Sequence, residues 1–107
     1  MTKTAIAVTH TFIVVMLCLG TSAQAAGDAT AGAERASLCA GCHGEKGISQ
    51  APIYPNLAGQ KEEYLVKVTT EYKDGTRNDL TMKAVLEQLT DADIQNLAAY
   101  YAGMTCQ

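Results

Sequence analysis

The sequence predicts an all-α domain of four to five short helices, and three observations carry that expectation. Apolar residues recur at helical spacing, as Tyr64, Leu65, Val68 and Tyr72 in one segment and Ile94, Leu97, Ala98 and Tyr101 in another. No stretch alternates apolar and polar residues in the way a half-buried strand does. The strongest breakers, the cluster from Gly44 to Gly59 and the pair Asp74-Gly75, fall between the periodic segments.

The first 25 residues stand apart. Lys3 gives a short basic start, residues 5–19 are mostly apolar, and Ala23-Gln24-Ala25 fits the small-x-small cleavage rule. The expectation is a secretory signal peptide over residues 1–25, cleaved before Ala26, with one domain over residues 26–107. The apolar run is short against the roughly 20 residues of a membrane span, and bulky Leu17 argues against lipid attachment at Cys18. Lys3 leaves with the leader, so the mature domain is one unit more negative than the −3 of the whole chain. That balance excludes a nucleic-acid partner, which needs a basic face. A domain this small buries a thin core unaided.

Residues 29–38 are rich in alanine and predict the first helix, with Asp28 or Thr30 as its cap. Gly32 lies inside it, where glycine weakens a helix unless a close neighbour requires it. The helix runs into Cys39-Ala40-Gly41-Cys42-His43, the C-x-x-C-H attachment signal for c-type haem. Two thiols three residues apart share one side of a helical turn, so each can add to one vinyl group of the same porphyrin. His43 then follows directly as the proximal iron ligand. A redox dithiol or half of a zinc site are the other readings of C-x-x-C. The first lacks a βαβ context. The second has only Cys39, Cys42, His43 and Cys106 after the leader, two of them sequence neighbours.

Residues 44–59 predict a long loop able to wrap the histidine side of the haem. Residues 61–73 predict a helix with Glu62, Glu63, Lys67 and Glu71 facing water, ended by Asp74-Gly75. A polar loop over 76–81 leads to a short helix from Met82 to Leu89. Thr90 is the expected cap of the last helix, with Asp91 and Asp93 at its positive end and Gly103 after it.

Taken together, these residues resemble a class I mono-haem cytochrome c of the short bacterial periplasmic type. The resemblance covers residues 27–104. It rests on Gly27-Asp28, the Cys39 to His43 motif, Pro55-Asn56-Leu57-Ala58-Gly59-Gln60, Tyr64-Leu65, Arg77-Asn78 with Met82 following, and Leu89-Thr90-Asp91-Ala92-Asp93 leading to Leu97-Ala98-Ala99-Tyr100. It implies a small cytochrome c fold around one haem c, bound covalently through Cys39 and Cys42, with His43 and Met82 on the iron. His10 leaves with the leader, so no second histidine remains to compete, and Met104 sits at the end of the packing helix. Pro55 matches the proline whose carbonyl holds the ligand histidine. Arg77 matches a position that can pair with a haem propionate, and Tyr64 either donates to a propionate or fills the core. Gly32 and Tyr100 match a glycine and an aromatic where the first and last helices cross. Cys106 departs from the pattern and reads as a free thiol, with a disulfide-linked dimer as the second reading.

The implied function is a periplasmic one-electron carrier cycling between Fe(III) and Fe(II), not an enzyme, with transient redox proteins as partners. The alternative is an electron-accepting subunit of a larger dehydrogenase or oxidase complex. A haem peroxidase or gas sensor fits less well, because methionine ligation closes the sixth position and no distal histidine is left.

Overall fold

The computed structural model describes residues 26–106. The expected leader, with Lys3, Cys18 and the Ala23-Gln24-Ala25 signal, lies outside the described residues. Along them run five helices: α1 (Ala29–Arg35), α2 (Ser37–His43), α3 (Glu62–Asp74), α4 (Leu80–Leu86) and α5 (Asp91–Ala102). Among the described residues there is no strand.

The helix expected over residues 29–38 is two helices. Asp28 caps α1, its carboxylate accepting from the Thr30 and Ala31 amides at 2.8 and 3.2 Å. At Ala36 the amide reaches back only to the Ala33 carbonyl, at 3.3 Å, and the helix tightens and breaks there. The Ala36 carbonyl then accepts from both the Cys39 and Ala40 amides, at 2.9 and 3.0 Å. The haem motif therefore occupies a helix of its own. Gly44, with a left-handed φ of 84°, turns the chain out of α2 into the loop.

Helix α3 buries Leu65 and half-buries Val68 and Tyr72 as the stripe predicts, but its first member, Tyr64, is exposed. Glu62 does more than face water: its Oε1 accepts from the Gly27 amide at 3.1 Å and ties the lead-in to α3. Helix α4 starts two residues earlier than the sequence suggested and ends at Leu86. Its cap is Asp79, whose carboxylate accepts from the Met82 amide at 2.9 Å. Met82 is thereby held in a capped first turn and not carried on the preceding loop. Helix α5 begins with a reciprocal capping box. The Asp93 amide donates to Thr90 Oγ1 at 3.1 Å, and the Thr90 amide donates to the Asp93 carboxylate at 2.9 Å.

Helix α5 packs on α1 and α3, and α3 packs on α4. The α1–α5 crossing is close at Gly32, where a Cβ would run into the Asn96 carbonyl oxygen and meet the Tyr100 Cβ at 2.9 Å. The expected pairing of Gly32 with Tyr100 is thus a contact of the fold. Asn96 also accepts from the Asp28 amide at 2.8 Å, locking the same crossing. The core joins Ala36, Leu65, Leu86, Leu89, Ile94, Leu97, Ala98 and Tyr101.

Candidate haem site

Helix α2 delivers the three residues of the motif to one place. Cys39 is half-buried, Cys42 is exposed, and His43 is only 6% exposed. The His43 Nδ1 lies 2.8 Å from the Pro55 carbonyl oxygen. A carbonyl can only accept, so Nδ1 carries the proton and Nε2 keeps its lone pair for a metal. The expected Pro55 contact is therefore present in the geometry.

The loop after α2 is braced to hold that carbonyl. The Leu57 and Ala58 amides donate to the Gly47 carbonyl at 2.8 and 3.0 Å, and the Gly59 amide donates to the Tyr101 carbonyl at 2.9 Å. Ser49 Oγ donates to the Ala51 carbonyl at 2.9 Å and lies 3.2 Å from the Cys42 carbonyl oxygen, and the Ser49 amide donates to Asn56 Oδ1 at 2.8 Å. These contacts join both ends of the loop to α2 and α5.

Cys39, Cys42 and His43 open on a cavity of about 670 Å³, within the roughly 300–1,000 Å³ span of small-molecule and cofactor sites. Its walls are mainly apolar, with Leu65 and Val68 from α3, Val85 and Leu86 from α4, and Leu97 from α5. Met82 also lines it, as do Arg77 and Tyr64, whereas Met104 and Cys106 do not. The structure thus gathers every sequence-predicted site residue at one cavity: Cys39, Cys42, His43, Pro55, Arg77 and Met82. Arg77 has partners of its own there. Its guanidinium lies over the Tyr72 ring, 5.1 Å from the centroid, and 3.9 Å from the Glu71 carboxylate.

Burial pushes the Cys39 thiol above its ordinary pKa, partly offset by a hydrogen bond with Tyr101. A reactive cysteine needs the opposite shift, toward thiolate, so Cys39 is poorly suited to be the attacking thiol of a redox pair. Burial likewise raises the Tyr101 phenol well above its usual value, with Cys39 as the next cause. Tyr101 and Tyr72 were read in the sequence only as members of apolar stripes; their hydroxyl and ring-face contacts are tertiary. Asp79 was missed as a cap, although an aspartate directly before an apolar helical run is a recognisable start signal.

Paired thiols on one helical turn, an imidazole nitrogen left free and apolar walls fit a porphyrin linked through two thioethers. The fold and site therefore define an all-α c-type haem protein. The family model "Cytochrome c" matches residues 29–104, and the chain belongs to the cytochrome c family. Haem c is attached covalently through Cys39 and Cys42. The chain is similar to cytochrome c4 of Pseudomonas aeruginosa, 48% identical over 90 residues that make up 82% of this chain and 45% of that protein. It is also similar to cytochrome c-554(548) of Halomonas halodenitrificans, 45% identical over 80 residues, covering 72% of this chain and 96% of that one. Among solved structures, reduced recombinant cytochrome c4 from Pseudomonas stutzeri superposes with a TM-score of 0.71 at 39% identity. That match covers 75% of this chain and 47% of that one. The chain thus spans about half the length of the cytochrome c4 relatives it matches. Among the described residues no helix is long and apolar enough to cross a membrane.

Proposed function

We propose that this chain is a periplasmic one-electron carrier, with residues 1–25 a leader cleaved before Ala26 and residues 26–107 the haem domain. The observation that carries the reading is the free Nε2 of His43, set by the Pro55 bond, on a cavity that Met82 also lines. When bound, the haem supplies an iron that gains and loses one electron between Fe(III) and Fe(II). His43 and Met82 are the residues that would hold that iron. The Nδ1–H bond fixes the imidazole orientation and raises its basicity. The soft thioether of Met82 favours Fe(II) and raises the potential. The capped first turn of α4 holds Met82 in place. Apolar walls exclude water, and Arg77, which lines the cavity, is the cation that would pair with a haem propionate. The acidic surface favours donor and acceptor proteins with basic patches, docked transiently over a small area. A free shuttle and an electron-accepting subunit use the same site, and copurification of a partner separates them.

The test is the visible spectrum of the exported protein, oxidised, reduced, and reduced under carbon monoxide. The expected result is a low-spin c-type spectrum with a weak iron–sulfur band, unchanged by carbon monoxide. Met82→Ala is expected to abolish the band, and Met104→Ala to leave it. Prompt carbon monoxide binding by the unmutated protein overturns the reading.

A further inference from the structure

The hydroxyl of Tyr101 is a polar group of the cavity wall that has no part in the ligand set. Its side chain is the most deeply enclosed large one among the described residues, at 1% exposed. The hydroxyl donates to the Ala36 carbonyl at 3.3 Å. That carbonyl sits at the break between α1 and α2 and already accepts the Cys39 and Ala40 amides. Tyr101 also lines the cavity alongside Cys39. A core tyrosine kept only for bulk has no use for this hydroxyl, since phenylalanine fills the same space without a polar atom to satisfy.

We infer that the Tyr101 hydroxyl is a fixed dipole that helps set the haem potential, holding the carrier lower than His43 and Met82 alone would. A phenol has one proton. Once Cys39 is a thioether, its sulfur is only a weak acceptor; the phenol proton then stays on the Ala36 carbonyl, and the oxygen keeps its lone pairs beside Cys39. The negative end of a dipole in a low-dielectric wall favours the more positive charge state, which is Fe(III). Nothing reorganises when the electron moves, because α5 and the Ala36 junction hold the phenol at both ends. The same bond ties α5 to the start of the haem motif.

This inference rests on the electron-carrier reading, and its test separates the two. The variant Tyr101→Phe keeps the ring and removes the hydroxyl; Tyr100→Phe is the control. The Tyr100 ring stacks edge-on against Tyr101 at 5.1 Å but does not line the cavity. Spectroelectrochemical titration of both holo-proteins is expected to show Tyr101→Phe shifted upward. A threefold change in the Fe(II)/Fe(III) ratio is a shift of about 30 mV, taking 59 mV per tenfold change for one electron. Tyr100→Phe is expected to leave the potential in place. A second readout needs no electrode: in denaturant, Tyr101→Phe destabilises the oxidised form more than the reduced form, by about the same threefold factor. Equal potentials for Tyr101→Phe and the unmutated protein, or a downward shift, overturn the inference while a low-spin, carbon monoxide-resistant spectrum leaves the carrier reading standing. A high-spin spectrum in the unmutated protein defeats the carrier reading instead.

Discussion

Replacing Gly32 by alanine tests the helix crossing on which the fold depends. A Cβ at this position meets two obstacles, the Asn96 carbonyl oxygen and the Tyr100 Cβ at 2.9 Å. Neither is the end of a flexible side chain. The carbonyl belongs to the hydrogen-bonded backbone of α5, so relief requires α1 and α5 to move apart. Overpacking of this kind costs roughly 1–3 kcal/mol, and backbone obstruction places Gly32→Ala at the upper end. Alanine recovers about 1 kcal/mol of intrinsic helix preference. The net expectation is a loss of about 2 kcal/mol, or roughly 10 °C in Tm for a domain of this size. Gly41→Ala is the matched control, because a Cβ there has nothing within 4 Å. The same substitution in α2 is expected to be neutral or to stabilise by up to about 1 kcal/mol. The assay is guanidinium unfolding of both oxidised holo-proteins, followed by far-UV circular dichroism. A midpoint for Gly32→Ala at or above that of the unmutated protein, with an unchanged slope, would refute the close-crossing argument.

Two more outcomes follow from the helix caps. Asp79→Ala removes the acceptor of the Met82 amide and is expected to cost about 1 kcal/mol. The variant should lose the iron–sulfur band at a lower temperature than it loses helicity, since the freed turn carries Met82; simultaneous loss of both signals would show that the cap does not hold the ligand. The Asp93 carboxylate is held below its ordinary range, first by the Thr90 amide and then by the Thr90 hydroxyl. Its contribution to stability is therefore complete above the unfolded value of about 3.9 and is lost as the pH falls through the lower folded value. Asp93→Asn should flatten the acid limb of the stability curve below about pH 4, and an unchanged limb in a pH series of thermal melts would count against the capping box.

The Cys39-x-x-Cys42-His43 motif, the helical stripes and the Thr90 cap are legible in the sequence because each is a local rule, set by contacts within one turn of chain. The buried face of α5 illustrates this: Ile94, Leu97, Ala98 and Tyr101 recur at helical spacing, and all four are buried. Local rules also misplace what depends on competing partners. The alanine-rich segment over residues 29–38 reads as one helix, yet the helix divides at Ala36, where the backbone makes a tighter bond and Tyr101 supplies a third donor to the Ala36 carbonyl.

By itself the sequence determined that this chain is helical and that haem attaches through Cys39 and Cys42; it left Met82 and Met104 both in the mature domain, and the resemblance favoured Met82. Only the tertiary structure decided the atoms. It set the His43 proton on Nδ1 by placing the Pro55 carbonyl 2.8 Å away, and it lodged Arg77 against Tyr72 and Glu71. It also turned Tyr101 from an apolar stripe residue into a hydroxyl bonded across 65 positions of chain. The physical reason is the same in each case. A hydrogen bond is a directional match between two groups, and its partner is chosen by where packing brings distant segments together, which no spacing along the chain encodes.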